Sequence, residues 1–361
     1  MKKALAILMV LALVASAVTA EVSIGAWGRG IFAPLANSGD DSYTDTAPSW
    51  GGWGGDEARI GFTIAGNSDN VGFQIDGNVD GGAFSMGDQQ KIWVKPMDML
   101  KFQMGRIYDD TLRGNAAFGS FNWYRGFGSG DGEDITFSRV GIEGSREGFE
   151  VAISPMDALY IAVYFHSLDK NLTENMFKNM QAAFGYKIEG IGQIKAQYFA
   201  KQASVEMEDE EGETITVLSD DADGRIEVAF NLTKVENLFV EFGFRMPTDT
   251  DIAGEWQQIN VYGNYKMDAM TFHLLAMITL TEDDTVMKFG AGMDYALDGG
   301  IGINADVRYY NDVAYNGEDA RITFMVGATK GFSNGLIGAG LEVVSADETG
   351  YMVPVRMEYW F

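Results

Sequence analysis

The sequence predicts an all-β protein, a transmembrane antiparallel β-barrel of about 18 strands, with 16 as the alternative, after a cleaved signal peptide. Three observations support this prediction. The chain begins with a secretory signal. No later run of 18 or more apolar residues could form a membrane helix. Strand-length segments alternate between apolar and polar residues up to the last residue, which is typical of strands with two unlike faces.

The closing strand, residues 351–361, shows the alternation most clearly. Its even positions include Arg356 and Glu358, whereas its odd positions are all apolar: Tyr351, Val353, Val355, Met357, Tyr359 and Phe361. Successive side chains of a strand point to opposite faces, so one face is apolar and the other mixed. Eleven residues also match the roughly 9 to 11 that a tilted strand needs to cross a bilayer. A closing strand of this kind resembles the assembly signal of bacterial outer-membrane β-barrels, with Tyr359 and Phe361 as signal residues.

The amino terminus is predicted to be a signal peptide of residues 1–20. Lys2 and Lys3 precede an apolar run, and the run ends at the small-residue site Val18-Thr19-Ala20. Two of the 26 basic residues lie in this signal, so the mature chain has 24 basic and 52 acidic residues and a net charge of −28. Such a charge excludes nucleic acid as a partner. The absence of cysteine excludes disulfides and thiolate metal sites.

Strand-like segments follow one another along the mature chain, 21–361. Short turns alternate with longer connections, among them 37–56, 107–136 and 202–223, as expected of an outer-membrane barrel. The count is 18 if residues 138–154 form one strand, but the apolar phase slips inside that segment, which leaves 16 as the alternative. The other predicted strands are 22–32, 59–65, 71–79, 91–95, 100–106, 158–166, 180–188, 193–201, 224–232, 237–246, 257–267, 270–280, 286–297, 300–310, 320–329, 335–344 and 351–361.

Basic residues fall on the polar face of the predicted strands. A basic side chain on the lipid face of a barrel costs about 2 to 4 kcal/mol at the bilayer midplane, so this placement specifies the register. In a soluble protein the apolar face would be core instead, and that reading remains the alternative. Fifteen of the 24 mature basic residues follow the rule: Arg29, Arg59, Lys91, Lys95, Lys101, Lys187, Lys195, Lys201, Arg225, Arg245, Lys266, Lys288, Arg308, Arg321 and Arg356.

Acidic residues share the polar face and also cluster in the predicted loops. The densest run is 206–213, interpreted as a solvated loop, with divalent-cation bridging to surface lipid as the alternative. It lacks the spacing and central glycine of a calcium loop. The inward acidic residues are Asp76, Glu227, Glu241, Asp294, Asp306, Glu342 and Glu358. The predicted inner wall is therefore mixed in charge.

With these features the chain resembles a bacterial porin, of the general or substrate-specific type, over residues 21–361. The resemblance implies a water-filled channel in the bacterial outer membrane for passive diffusion of ions and small hydrophilic solutes. It implies no enzymatic activity, no cofactor and no metal. It also implies a homotrimer whose partners are outer-membrane lipid, the barrel-assembly machinery and the diffusing solutes.

The same resemblance implies that the loop after the fifth strand, 107–136, folds into the barrel and narrows the channel. Its acidic residues would then face basic residues of the wall. The candidate constriction residues are Asp109, Asp110, Arg113, Arg59, Lys95 and Lys101. An ordinary exposed loop is the alternative for this segment.

Three other functions are weighed against a general channel. A sugar-specific channel would use aromatic residues of inward parity, namely Trp27, Trp93, Phe199, Phe239, Tyr262 and Tyr310. An outer-membrane hydrolase would need a catalytic motif, yet His166 and His273 are the only histidines and neither lies in one. A surface adhesin or structural barrel would use the long acidic loops, and the sequence does not separate it from a channel.

Overall fold

A computed structural model of the chain describes most of residues 21–361. The predicted signal peptide 1–20 lies outside the described residues, as do most of the predicted loops 37–56 and 107–136 and residues 209–213 of the acidic run. The described residues are 21–37, 42–45, 59–80, 83–114, 147–166, 176–208, 214–250, 255–282, 284–311, 320–345 and 349–361.

These residues form nineteen β-strands and a short 3-10 helix, Met176–Asn179. No helix in the described part of the chain is long and apolar enough to cross a membrane. The strands are β1 Glu21–Asn37, β2 Ser42–Asp45, β3 Arg59–Asn67, β4 Val71–Asp80, β5 Ala83–Met97, β6 Leu100–Arg106, β7 Glu147–Met156, β8 Leu159–His166, β9 Met180–Ile188, β10 Gly192–Glu208, β11 Thr214–Leu232, β12 Leu238–Pro247, β13 Trp256–Met267, β14 Met270–Thr281, β15 Thr285–Leu297, β16 Ile301–Tyr310, β17 Arg321–Phe332, β18 Gly335–Ser345 and β19 Thr349–Trp360.

The strands close into a single antiparallel barrel. From β3 to β19 each strand pairs with the next, and β1 completes the ring by pairing with β3 on one side and β19 on the other. The four-residue β2 pairs with the last residues of β1. Of the nineteen described strands, eighteen therefore form the wall. The prediction of 18 strands is confirmed, and the alternative of 16 is wrong.

Several predicted strand bounds are wrong because the strands are longer than the stretches in which apolar and polar residues alternate regularly. The range 202–223, predicted as a connection, is mostly strand, since β10 reaches Glu208 and β11 begins at Thr214. The pairing shifts register between Gln202 and Ser204, and this irregularity hid the strands from a search for strict alternation. Similarly, β5 begins at Ala83 rather than at Lys91. Of the predicted strand 138–154, β7 covers the part from Glu147, and 138–146 lies outside the described residues.

The barrel is polar inside and apolar outside. Glu227 is 0% exposed on the inner wall, whereas Leu274 is 65% exposed on the outer surface. The same contrast runs through the neighbouring strands, where Lys195 and Glu241 are buried and Phe242 is exposed. A soluble protein would show the opposite arrangement, because exposed apolar surface is costly in water. The inversion therefore fits a barrel surrounded by lipid.

Exposed aromatic side chains lie on the outer face of the barrel close to several of its short turns. Each lies within two residues of the turn or, for the last, of the carboxy terminus. These side chains are Tyr186, Tyr265, Phe272, Tyr295 and Tyr359. Such a girdle marks the boundary between hydrocarbon and water. The short-turn end is then the periplasmic end by the usual orientation of outer-membrane barrels.

A pair of adjacent substitutions tests the two faces. Ile75 and Gln74 are neighbours on β4, Ile75 on the outer face and Gln74 on the inner face, where its amide donates to Asp76 (3.1 Å). We expect Ile75→Lys to lower the free energy of unfolding in lipid vesicles by about 2 to 4 kcal/mol. Gln74→Lys should change it little, because a lysine there meets water and Asp76. Equal losses in urea titrations would contradict the assigned faces.

Candidate functional site

The chain turns onto the inner wall of the barrel as soon as β6 ends. Ile107 and Leu112 are buried in a cluster with small side chains of β7, β8 and β9, namely Ala152, Ala162 and Ala183. Leu112 also contacts Gly185, where an added Cβ would clash with its side chain. Small residues on the wall thus leave the space that Leu112 occupies. The described segment 107–114 is therefore held inside the barrel.

Asp109 is fixed by hydrogen bonds on both carboxylate oxygens. Its Oδ1 accepts from the backbone nitrogen of Thr111 (2.8 Å) and from the Thr111 hydroxyl (2.6 Å). Its Oδ2 accepts from the hydroxyl of Tyr160 on β8. The first two bonds form a local turn of the kind that aspartate favours. The third bond attaches the segment to the wall.

Basic side chains of β5 and β6 form the electrostatic surroundings of Asp109. The charges of Lys91 and Lys101 both interact with the Asp109 carboxylate, and Lys91 also interacts with Asp110. Glu150 on β7, 0% exposed, adds a second carboxyl group beside the two lysines and accepts a hydrogen bond from the Gln103 amide (2.5 Å). The cluster therefore combines carboxylates and lysines on one part of the inner wall.

The other predicted wall residues lie against tryptophan rings. Lys95 and Lys101 both lie over Trp93, with their Nζ atoms 5.3 and 5.9 Å from the ring centroid. Arg59 lies over Trp27 at 5.7 Å. The structure thus brings Lys101 to both Asp109 and Lys95, and it places Arg59 at a separate ring.

The remaining candidates of the segment are Asp110 and Arg113. Asp110 is exposed, and its carbonyl accepts the backbone N–H of Arg113 (3.1 Å). Sequence analysis did not assign Lys91, Glu150 or Tyr160 to the site. The inward parity of Lys91 and Tyr160 was a signal for both, but their contact with the segment depends on where an irregular stretch folds.

Ion pairs join charged side chains of β10, β11 and β12 on the inner wall. Lys195 pairs with Glu241, and Arg245 Nε lies 3.5 Å from Glu227 Oε1. Arg225 Nε approaches the same Glu227 oxygen at 2.7 Å. These pairs join β10, β11 and β12 across the inner face. The predicted mixed charge of the inner wall is therefore observed there.

The two histidines lie in different networks. His273 Nδ1 is 3.1 Å from the Tyr262 hydroxyl, and its Nε2 is 2.9 Å from Asp294 Oδ2. His166 contacts Tyr164 edge-on, with 4.8 Å between ring centroids. Within the described ranges no group of three metal-ligating side chains occurs. His273 is bonded to tyrosine and aspartate rather than to a serine nucleophile, so the contacts do not favour the hydrolase alternative.

Cations cover most of the candidate sugar-binding rings. Trp27 and Trp93 each contact two basic side chains, Phe199 contacts Arg225 at 4.8 Å, and Tyr310 contacts Lys288 at 4.5 Å. A neutral sugar stacks on an uncovered ring face. The cations occupy those faces, so the rings do not favour a sugar track.

The carboxy terminus closes the barrel through backbone hydrogen bonds. The Phe361 nitrogen donates to the Ala26 carbonyl (2.8 Å), and the Ala26 nitrogen donates to the Phe361 carbonyl (3.2 Å). On the other side, the Trp360 nitrogen donates to the Asn334 carbonyl (3.0 Å). The side chains of Tyr359 and Phe361 are exposed, at 51% and 73%. The side chains of the two predicted signal residues are thus accessible, while the backbone at the terminus is hydrogen-bonded to both neighbouring strands.

Leu112 gives a direct test of how the segment is held. Leu112→Ala removes most of a side chain that is 3% exposed and leaves a cavity against Gly185. The free energy of unfolding in lipid should therefore fall by about 2 kcal/mol or more. Val235→Ala is the matched control, because Val235 is 49% exposed in a short turn. Equal stability of the two variants would show that Leu112 is not packed as described.

Comparison with known proteins agrees with this architecture. The chain matches the Gram-negative porin family over residues 4–336. It is similar in fold to a porin refined at 1.8 Å resolution, with a TM-score of 0.53, 14% identity and coverage of 94% of this chain and 100% of that one. A substituted variant of the Rh. blastica porin gives a TM-score of 0.51, 15% identity and the same coverage.

No curated protein matches the chain by sequence. The family match covers most of the chain, and the solved structures share its closed antiparallel barrel. Members of this family are passive channels rather than enzymes, and they lie in the bacterial outer membrane. The chain therefore belongs to the Gram-negative porin family and forms a passive diffusion channel in that membrane.

Proposed function

We propose that this channel passes ions and small hydrophilic solutes through a constriction formed by the loop 107–136. The observation that carries the proposal is the inward position of its described beginning, 107–114, where Leu112 is buried on the wall and Asp109 bonds to Tyr160. A loop attached this way takes up part of the channel cross-section. Residues 115–136 lie outside the described part of the chain.

Charge separation at this point supports a selective rather than a neutral constriction. Asp109 and Asp110 belong to the loop, whereas Lys91 and Lys101 belong to the wall strands β5 and β6. Opposite charges beside a narrow water-filled passage create an electric field in it. A dipolar solute would be oriented by that field, and an ion would be favoured or disfavoured according to its sign. We assign these four side chains to the constriction, with Arg113, Lys95 and Arg59 as further candidates.

The double substitution Asp109→Asn and Asp110→Asn tests the constriction. A unit charge about 8 Å from the ion path contributes roughly 0.5 kcal/mol in water, which is about a twofold change in permeability per charge. The cation-to-anion permeability ratio should therefore fall about two- to fourfold. The measurement is the reversal potential of the refolded protein in a planar bilayer under a salt gradient.

Two comparisons make this measurement decisive. Lys101→Gln should move the reversal potential in the opposite direction, toward cations. Asp98→Asn, in the two-residue turn between β5 and β6, removes the same charge outside the proposed constriction and should have a smaller effect. If the double substitution has no more effect than Asp98→Asn, the loop residues do not line the narrow part of the channel.

We further propose that the carboxy terminus is read by the barrel-assembly machinery and that the folded chain assembles into homotrimers. The exposure of Tyr359 and Phe361 beside a fully bonded backbone supports the first proposal. Family membership supports the second. Chemical cross-linking in detergent, followed by denaturing electrophoresis, tests the trimer.

Phe361→Ala separates recognition from stability. The variant keeps the terminal backbone and loses only a 73%-exposed ring. We expect folding catalysed by the assembly machinery to slow severalfold, while spontaneous folding into vesicles stays within about twofold of the wild-type rate. Phe332→Ala is the control, because Phe332 is also an exposed phenylalanine at the short-turn end. Equal slowing of both variants would argue against a terminal signal.

A further inference from the structure

A row of polar side chains crosses the outer face of the barrel on β5, β6 and β7. Gln90 pairs with Arg106, and Arg106 pairs with Glu147 on its other side. Directly opposed residues of antiparallel strands point to the same face. Two residues further along, Ile92 pairs with Met104, and these side chains are 56% and 50% exposed on the outer surface. The polar row therefore lies on the face that elsewhere meets lipid.

This row lies within the apolar band of the barrel rather than at its edge. The outer positions of β5 next to Gln90 are Ile92 on the turn side and, on the loop side, Met86 and Phe84, which is 63% exposed. Gln90 precedes the end of β5, Met97, by seven residues. At about 3.3 Å per residue and a tilt of about 40°, it lies roughly 18 Å above the short turn. The apolar band of such barrels is about 25 Å tall.

Outer positions in the middle of other described strands are apolar. Examples are Phe242 of β12, Leu274 of β14 and Val326 of β17, all exposed. Charged side chains on the lipid face destabilise a barrel, and ionisable groups at membrane depth usually face protein. Arg106 is partly exposed, and its Nε is buried without a hydrogen-bond partner among the described residues. The row is therefore expected to be covered by protein rather than by lipid.

A groove of about 500 Å³ lies beside the polar row. Its lining is apolar toward the short turn and polar at the row, and it includes Gln90, Ile92, Met104, Gly105, Glu147 and Gly148. Such a groove can accept a mainly apolar side chain of a neighbouring protein. The polar groups at its rim can then bond to polar groups of the same neighbour.

We infer that the outer face of β5 to β7 is a contact surface for a second copy of this chain, close to the symmetry axis of the proposed homotrimer. The row contains a cation, an anion and an amide, so it is complementary to itself. Identical surfaces of the subunits come together near the axis of a closed symmetric oligomer. Arg106 of one subunit then lies against Glu147 of the next. The inference rests on the proposed homotrimer and locates its contact surface.

Other occupants satisfy only part of this surface. Acyl chains would fill the groove but leave the charged groups unpaired, which is costly in hydrocarbon. Lipid headgroups lie outside the apolar band and do not reach the row. A partner that carries charge of one sign would balance only one of Arg106 and Glu147. A second copy supplies both charges and the amide at the same depth.

Charge reversal tests this contact in the refolded protein. Arg106→Glu makes the row acidic and Glu147→Arg makes it basic, so each variant alone should lose its oligomers. The assembled fraction should fall about tenfold or more, because like charges would meet at the contact. The two variants refolded together, one of them with an affinity tag, should copurify, since an acidic row then meets a basic one. Cross-linking and light scattering in detergent give the assembled fraction.

Lys330→Glu is the matched control. It reverses a charge on the outer face of β17 next to a short turn, where Lys330 pairs with the exposed Ile337, and the variant should assemble like the wild type. Wild-type assembly of both single variants of the row would overturn the inference and leave the proposed trimer intact. Loss of assembly without copurification would show that the two charges act within one subunit, which also overturns it. A monomeric wild type would overturn the inference and the trimer together, while the conductance test of the channel is unaffected.

A second measurement needs no charge variant. The chain contains no cysteine, so Ile92→Cys and Leu274→Cys can each carry a single nitroxide spin label. Both native side chains are exposed on the outer face, at 56% and 65%. In vesicles the label at position 274 should collide freely with oxygen dissolved in the lipid. The label at position 92 should do so severalfold less often, because the subunit contact excludes lipid, and equal collision rates would overturn the inference.

Discussion

Every strand of this protein depends on the pairing of its backbone in a medium without water. In hydrocarbon an unpaired N–H or C=O group costs several kcal/mol, so a sheet can cross a membrane only if it has no free edge. β1 supplies the closure, because its two ends pair with β3 and β19. The hydrogen bonds between Ala26 and Phe361 complete that seam. The chemistry of both barrel faces follows from this closed ring.

In a closed barrel one face of each strand meets lipid and the other meets water. Apolar and polar side chains must therefore alternate along each strand. The inner face then collects the charged residues, which pair with one another where they are buried, as Lys195 does with Glu241. The inner face also holds the segment 107–114 at a place where the side chains of the wall are small. Ala152, Ala162, Ala183 and Gly185 leave the space in which Leu112 packs. The proposed constriction thus depends on the small side chains of three wall strands.

The alternation of apolar and polar residues allowed the number of strands and the facing of their side chains to be predicted. It did not allow contacts across the lumen to be predicted. It gave eighteen wall strands and the inward placement of residues such as Lys101 and Arg59, because a charge on the lipid face is too costly. It missed Tyr160 and Glu150 beside Asp109, since nothing in strand periodicity says where an irregular segment will fold. It also missed the length of the β10–β11 hairpin, whose register shift near Gln202 interrupts the alternation.

The most direct test of this account is the accessibility of alternate residues along one strand. The chain contains no cysteine, so single cysteines along β4 can be labelled in the folded protein in vesicles with a charged, membrane-impermeant thiol reagent. The account predicts fast labelling at Gln74 and Asp76, which face the channel, and slow labelling at Phe73 and Ile75, which face lipid. Uniform labelling, or labelling with the opposite phase, would contradict a water-filled barrel with this register.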